Sequence, residues 1–154
     1  MKLSMAVLAL FLGVQADIAF AVPVKARIVL MPISGTLLTV EEKSAVASKL
    51  AAALEKKYSV LFGRDVDAFV EKVFQEENMN KDCDADACYR KISNKYDAPM
   101  IAVLTVVPAQ NGEFNLILKF VDVYQNKIAR SRKTVCKECS SVKLANIASG
   151  MVEE

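Results

Sequence analysis

The run Met100 to Val107 (MIAVLTVV) is almost wholly apolar and reads as the central strand of a sheet. Pro108 to Gly112 then turns the chain, and Asn111-Gly112 is a hairpin signal. The segment that follows, Phe114 to Tyr124, alternates. Phe114, Leu116, Leu118 and Phe120 fall on one side; Asn115, Ile117, Lys119, Val121 and Val123 fall on the other. This hairpin demands a sheet with one well-buried face and one mixed face. Every other element must be laid against it.

The rest of the chain supplies those elements in order. Arg27 to Ile33 (RIVLMPI) fits a buried first strand, and Ser34-Gly35-Thr36 a loop. Thr39 and Glu42 have the spacing of a capping box, which predicts a helix from there to about Lys57 with Val46, Leu50 and Leu54 on its apolar stripe. Tyr58 to Phe62 reads as a second strand, stopped by Gly63. Asp65 can cap a second helix with the stripe Val66, Phe69, Val70, Val73 and Phe74. Glu76 to Asp82 is polar and reads as a loop. Asp84 or Asp86 starts a third helix that shares Cys88, Ile92 and Tyr96 on one face and ends at Asp97-Ala98-Pro99. Ile128 to Cys136 is a basic strand, and Ser140 or Ser141 caps a last helix through Met151. The order is β-α-β-α-α-β-β-β-α. It predicts an α/β (α+β) fold: two layers, a mixed sheet of about five strands, and helices packed mainly on one face.

Met1 to Ala21 has the pattern of a cleavable secretory signal peptide: Lys2, the apolar run Met5 to Val14, then Ala19-Phe20-Ala21 before Val22. Residues 22–154 are then expected to form a single domain. The leader carries one basic and one acidic residue, Lys2 and Asp17, so the formal net charge of +2 is unchanged by its removal. That near balance argues against a nucleic-acid partner. The mature chain holds no run suited to a transmembrane span. The sequence contains no histidine, which removes the commonest general base and the commonest metal ligand.

Four cysteines in an exported chain read as two disulfides, Cys83–Cys88 and Cys136–Cys139, each pair close in sequence. Cys136-Lys137-Glu138-Cys139 lies between a strand and a helix, which also resembles a redox C-x-x-C. It stands near the C-terminus with no βαβ unit after it, so a structural bridge is the expectation and a thiol-disulfide oxidoreductase the alternative. A four-cysteine zinc site would need unusual spacing. Asp82, Asp84 and Asp86 alternate like a calcium loop, but Ala87 and Ser93 stand where such a loop needs Gly and Glu. Lys127, Arg130, Arg132, Lys133 and Lys137 make the basic strand. It is either a docking surface for an acidic partner or anionic lipid, or simple edge protection. No nucleophile elbow, phosphate loop or dinucleotide fingerprint occurs, and no residue set calls for a cofactor or a metal. A small-ligand-binding protein remains a third class, for which no residue speaks.

Four stretches resemble the TolB amino-terminal-domain-like group, which includes the related domain of curli-secretion CsgG proteins. They are RIVLMPISG with the helix ending KLAAALEKKYSVLFGRD, then CDADACYRKISNKYDAPMIAVLTV, then the hairpin NGEFNLILKFVDVYQNKI, and finally VCKECS. The resemblance implies a non-enzymatic periplasmic α/β adaptor that binds a protein partner in the cell envelope. On the residues, the partner surface is expected on the mixed face and the neighbouring edge: Ile117, Lys119, Val121, Val123, Arg130 and Arg132. The mature protein is expected to begin at Val22; the intact mass of protein exported by its native host measures this, and retention of Met1 to Ala21 is the contrary result.

Overall fold

The computed structural model describes residues 24–35, 37–80 and 85–153. The expected leader, Cys83 and the aspartates Asp82 and Asp84 therefore lie outside the described residues. Five strands form one mixed sheet: β1 (Arg27–Leu30), β2 (Ser59–Leu61), β3 (Met100–Pro108), β4 (Phe114–Asp122) and β5 (Lys127–Cys136). The spatial order is β2-β1-β3-β4-β5. β1 runs parallel to β2 and β3, while β3–β4 and β4–β5 are antiparallel hairpin pairs. Four helices pack on this sheet: α1 (Val40–Leu54), α2 (Arg64–Asn80), α3 (Ala85–Tyr96) and α4 (Ser141–Glu153). The element order is the expected one.

Local chemistry explains most boundaries. The Glu42 amide donates to the Thr39 hydroxyl at 3.2 Å, and the Thr39 amide donates to the Glu42 carboxylate at 2.9 Å, closing the capping box that starts α1. After β1 the chain keeps following β3, with Val106 N–H donating to Ser34 C=O at 2.8 Å. Gly35 is needed there, because a Cβ at that position would lie 3.0 Å from the Val106 carbonyl oxygen. At the end of α3 the buried Ser93 hydroxyl donates to Ala98 C=O at 2.7 Å, and Asp97 takes a left-handed φ of 48°. The β3–β4 turn is a single 3-10 turn, Gln110–Gly112, with Gly112 at φ 72°. One boundary differs from expectation. Glu76 to Asn80, read as loop, extends α2 by more than a turn. The segment has no Gly or Pro to stop the helix, so polarity alone does not end it.

The helices do not gather mainly on one face. α1 and α4 cover the face carrying Ile28, Leu30, Ala102, Leu104, Leu116, Leu118 and Phe120. α2 and α3 lie on the other face, over Val29, Ile101, Val121 and Val123. Crossover handedness accounts for the division. The β1-α1-β2 step moves one way along the sheet, and β2-α2-α3-β3 moves back past β1. Two right-handed crossovers in opposite directions place their helices on opposite faces. The expected two-layer arrangement is thus corrected to one full helical layer and a second, partial one.

The partial layer divides the second face. Val121 is only 8% exposed, whereas Ile117 is half-buried and Lys119 exposed on the same strand. Val121→Lys is therefore expected to destabilise by about 3 kcal/mol or more, since it buries a charge without a partner. Ile117→Lys should stay within about 1 kcal/mol. Urea unfolding of the two variants checks the division; equal losses would contradict it.

Candidate functional site

β5 is an edge of the sheet, ten residues long, and the turn before it fixes its start. The Asp122 carboxylate accepts from the Gln125 amide at 2.9 Å, and Asn126 takes a φ of 48°. The pairing then slips once. Phe120 faces Arg130 but Val121 faces Ile128, so Ala129 is an extra residue in a β-bulge. Four of the ten residues, Lys127, Arg130, Arg132 and Lys133, are basic and none is acidic. An uncovered edge of this length presents main-chain donors and acceptors along one side.

Cross-strand partners share a face, so the register places each expected site residue. Arg130 and Arg132 sit opposite Phe120 and Leu118, on the side covered by α1 and α4. Ser131, Lys133 and Val135 sit opposite Lys119, Ile117 and Asn115, on the open half of the other face. There Val135 is 45% exposed and Val107, on β3, 41%. Ile117, Lys119, Lys133, Val135 and Val107 thus make a mixed apolar and cationic surface that no helix covers among the described residues. Val121 and Val123 do not belong to it. Expected as part of an open partner surface, both are instead buried under α2 and α3. Six candidate residues therefore separate into a buried pair, an open-face pair and an edge pair on the opposite side.

Cys136 and Cys139 are bonded to each other, with Cα atoms 5.8 Å apart. The bridge joins the end of β5 to the start of α4. Glu138 between them has a φ of 49°, and Ser140 caps the helix, its hydroxyl accepting from the Lys143 amide at 3.3 Å. Cys136 is fully buried in the core under α1 and α4. In redox C-x-x-C sites the attacking thiol is partly exposed; here Cys136 is fully buried and Cys139 half-buried. Cys88 is buried and disulfide-bonded, while Cys83, its expected partner, lies outside the described residues.

A cleft of about 650 Å3 opens between α1 and α2, beyond the carboxyl ends of β1 and β2. Parallel strands followed by helices on opposite faces leave such a crevice. Met31, Ile33 and Phe62 supply apolar walls, and Lys43, Arg64, Asp67 and Glu71 stand around it. Burial pushes the Asp67 carboxyl above its usual range. The residues come from three separate stretches of the chain, so no sequence motif marks the cleft; Phe62, an exposed aromatic at a strand end, is its one local trace.

Among the described residues no helix is long and apolar enough to cross a membrane. No protein-family model matches the chain, and no curated protein matches it in sequence. Its fold is similar to that of a lipoprotein of Neisseria meningitidis, GNA1162, at 20% identity and a TM-score of 0.52, over 83% of this chain and 94% of that one. It is also similar to the C-terminal domain of LpoB from Salmonella enterica, at 13% identity and a TM-score of 0.51, over 78% and 88% of the two chains. At these identities the likeness is one of fold.

The Cys136–Cys139 pair is expected to be structural. Replacing both by Ser should cost about 2 kcal/mol, the chain-entropy value for so short a loop, and the wild-type protein should not reduce insulin. Reductase activity that vanishes in Cys136→Ser would reverse this assignment.

Proposed function

We propose that the mature chain is an exported, non-enzymatic module of the cell envelope that binds another protein along β5. The observation that carries this reading is the edge itself: ten residues, four positive charges, no negative charge and, among the described residues, no strand paired to its outer side. An extended segment of a partner can add to that edge by main-chain hydrogen bonds. Acidic side chains on the added strand would meet Arg130 and Arg132 on one face and Lys133 on the other, which sets register as well as attraction. The open surface around Ile117 and Val135 offers apolar area to whatever follows the strand. The leader pattern, the paired cysteines, the TolB-like and CsgG-like motifs and the lipoprotein character of one fold neighbour support an envelope setting. The buried Cys136 speaks for a non-redox role. The cleft between α1 and α2 gives the small-ligand alternative a place, with mixed charges and no chemistry that selects one ligand.

A photo-crosslinker at Ser131, in the native host, tests the edge. It is expected to trap one envelope protein, and the double charge reversal Lys127→Glu/Lys133→Glu should cut the yield at least tenfold. For the isolated pair, affinity should fall steadily between low and physiological salt, as charge-steered contacts do. Crosslinks indifferent to both charge reversal and salt would overturn the proposal.

A further inference from the structure

Under the bulge of β5 lies a cavity of about 220 Å3, bounded by Lys57, Tyr58, Phe120, Ala129, Arg130 and Val152. It is on the α1–α4 side and borders the edge of the sheet. Two cations line it, and among the described residues no acidic side chain does. The Arg130 Nη2 is buried and has no hydrogen-bond partner among the described residues. Leaving a buried charged donor unmatched is costly, so the fold invests in holding it there. The guanidinium lies over the Phe120 ring, 5.8 Å from the centroid, and Phe120 in turn stacks on Tyr58 at 6.5 Å. An aromatic floor fixes the plane of the fork while leaving its N–H groups free to donate. The bulge at Ala129 is the device that re-aims a side chain next to a site. Two features oppose an anion: the carbonyl end of α4 and the Glu153 carboxylate beyond it, which Lys57 attracts. Lys57 offsets both, its ammonium donating to Val152 C=O at 3.1 Å.

We infer that this cavity is a carboxylate-binding pocket centred on Arg130, and that it reads an Asp or Glu side chain on the strand added to β5. A planar, two-pronged donor with no acidic neighbour matches a carboxylate in charge and shape. The volume falls below the roughly 300–1,000 Å3 of small-molecule sites and suits a single side chain. Residue 130 belongs to the edge strand, so a partner residue beside it on that face arrives at the pocket. A second copy of this chain is the wrong occupant: antiparallel self-pairing of β5 about Ser131, which keeps each side chain on its own face, sets Arg130 against Arg132 and brings no carboxylate.

The inference rests on edge pairing, and two probes separate them. The first is acetate, titrated at constant ionic strength against chloride, with the Arg130 side-chain Nε and Nη resonances observed by NMR. Saturable shifts at Arg130 that disappear in Arg130→Gln are expected; no acetate-specific response overturns the pocket and leaves edge pairing standing. The second is a pair of seven-residue Thr/Val peptides with a central Glu or a central Gln, a repetitive host in which the Glu can choose its register. The Glu peptide should bind at least tenfold tighter to the wild type, and equally weakly as the Gln peptide to Arg130→Gln. A preference that survives Arg130→Gln overturns the assignment of Arg130. Failure of both peptides with acetate still bound removes the strand-borne source and edge pairing with it. An amide correlation spectrum of each variant establishes that it is folded.

Discussion

The structure depends on β3, the strand that is hydrogen-bonded on both edges and apolar on both sides. Its pairing with β1 and β4 uses the main chain completely over its first three residues, so only side-chain burial is left to decide what covers it. Ile101 is fully buried towards α2 and α3, and Ala102 and Leu104 towards α1 and α4. Further along, Val106 stays buried while Val107, its neighbour on the other face, reaches solvent. The need for cover on two faces therefore holds for the beginning of β3 and on one face for its end. The partial second layer follows that gradient.

Elements with a local signal were legible in the residues. The capping box at Thr39 and Glu42, the stripe from Val66 to Phe74 and the alternation from Phe114 to Phe120 each report a structure made within a few residues. The side of the sheet on which a helix lies has no such signal. The stripe on α2 says that the helix has an apolar face; it does not say which sheet face receives it. That depends on where β2 sits relative to β1 and β3, a property of strand order that emerges only when all the parallel pairs form. The same missing information explains the candidate residues. Parity put Ile117, Lys119, Val121 and Val123 on one face correctly, but the position of α2 and α3 along that face buries Val121 and Val123 and leaves Ile117 and Lys119 outside. Arg130 and Arg132 belong to the neighbouring edge, as expected, and register turns their side chains to the opposite face.

The cleft and the Arg130 pocket share a reason for being hidden. Each is assembled where segments distant in the chain meet: β1, β2, α1 and α2 in one, and the ends of α1 and α4 with the bulge of β5 in the other. A bulge is visible only as a slip in register, so the sequence of β5 reads as a plain basic strand. Nothing in Lys127 to Cys136 marks Arg130 as different from Arg132.

Edge protection and partner docking, posed as rival readings of the basic strand, turn out to need the same residues. Paired with itself, β5 sets cation against cation, and like charges directly opposite destabilise a sheet. That repulsion keeps the edge from joining copies of this chain. It acts through the sign of the charge, so it becomes attraction for a strand carrying acidic side chains. Lys119 and Lys133 interrupt the apolar surface of Ile117, Val135 and Val107 in the same way, which limits unselective hydrophobic contact. The strand can therefore remain uncovered in the free protein without inviting aggregation, and under the proposed function the charges that refuse the wrong partner would be the ones that choose the right one.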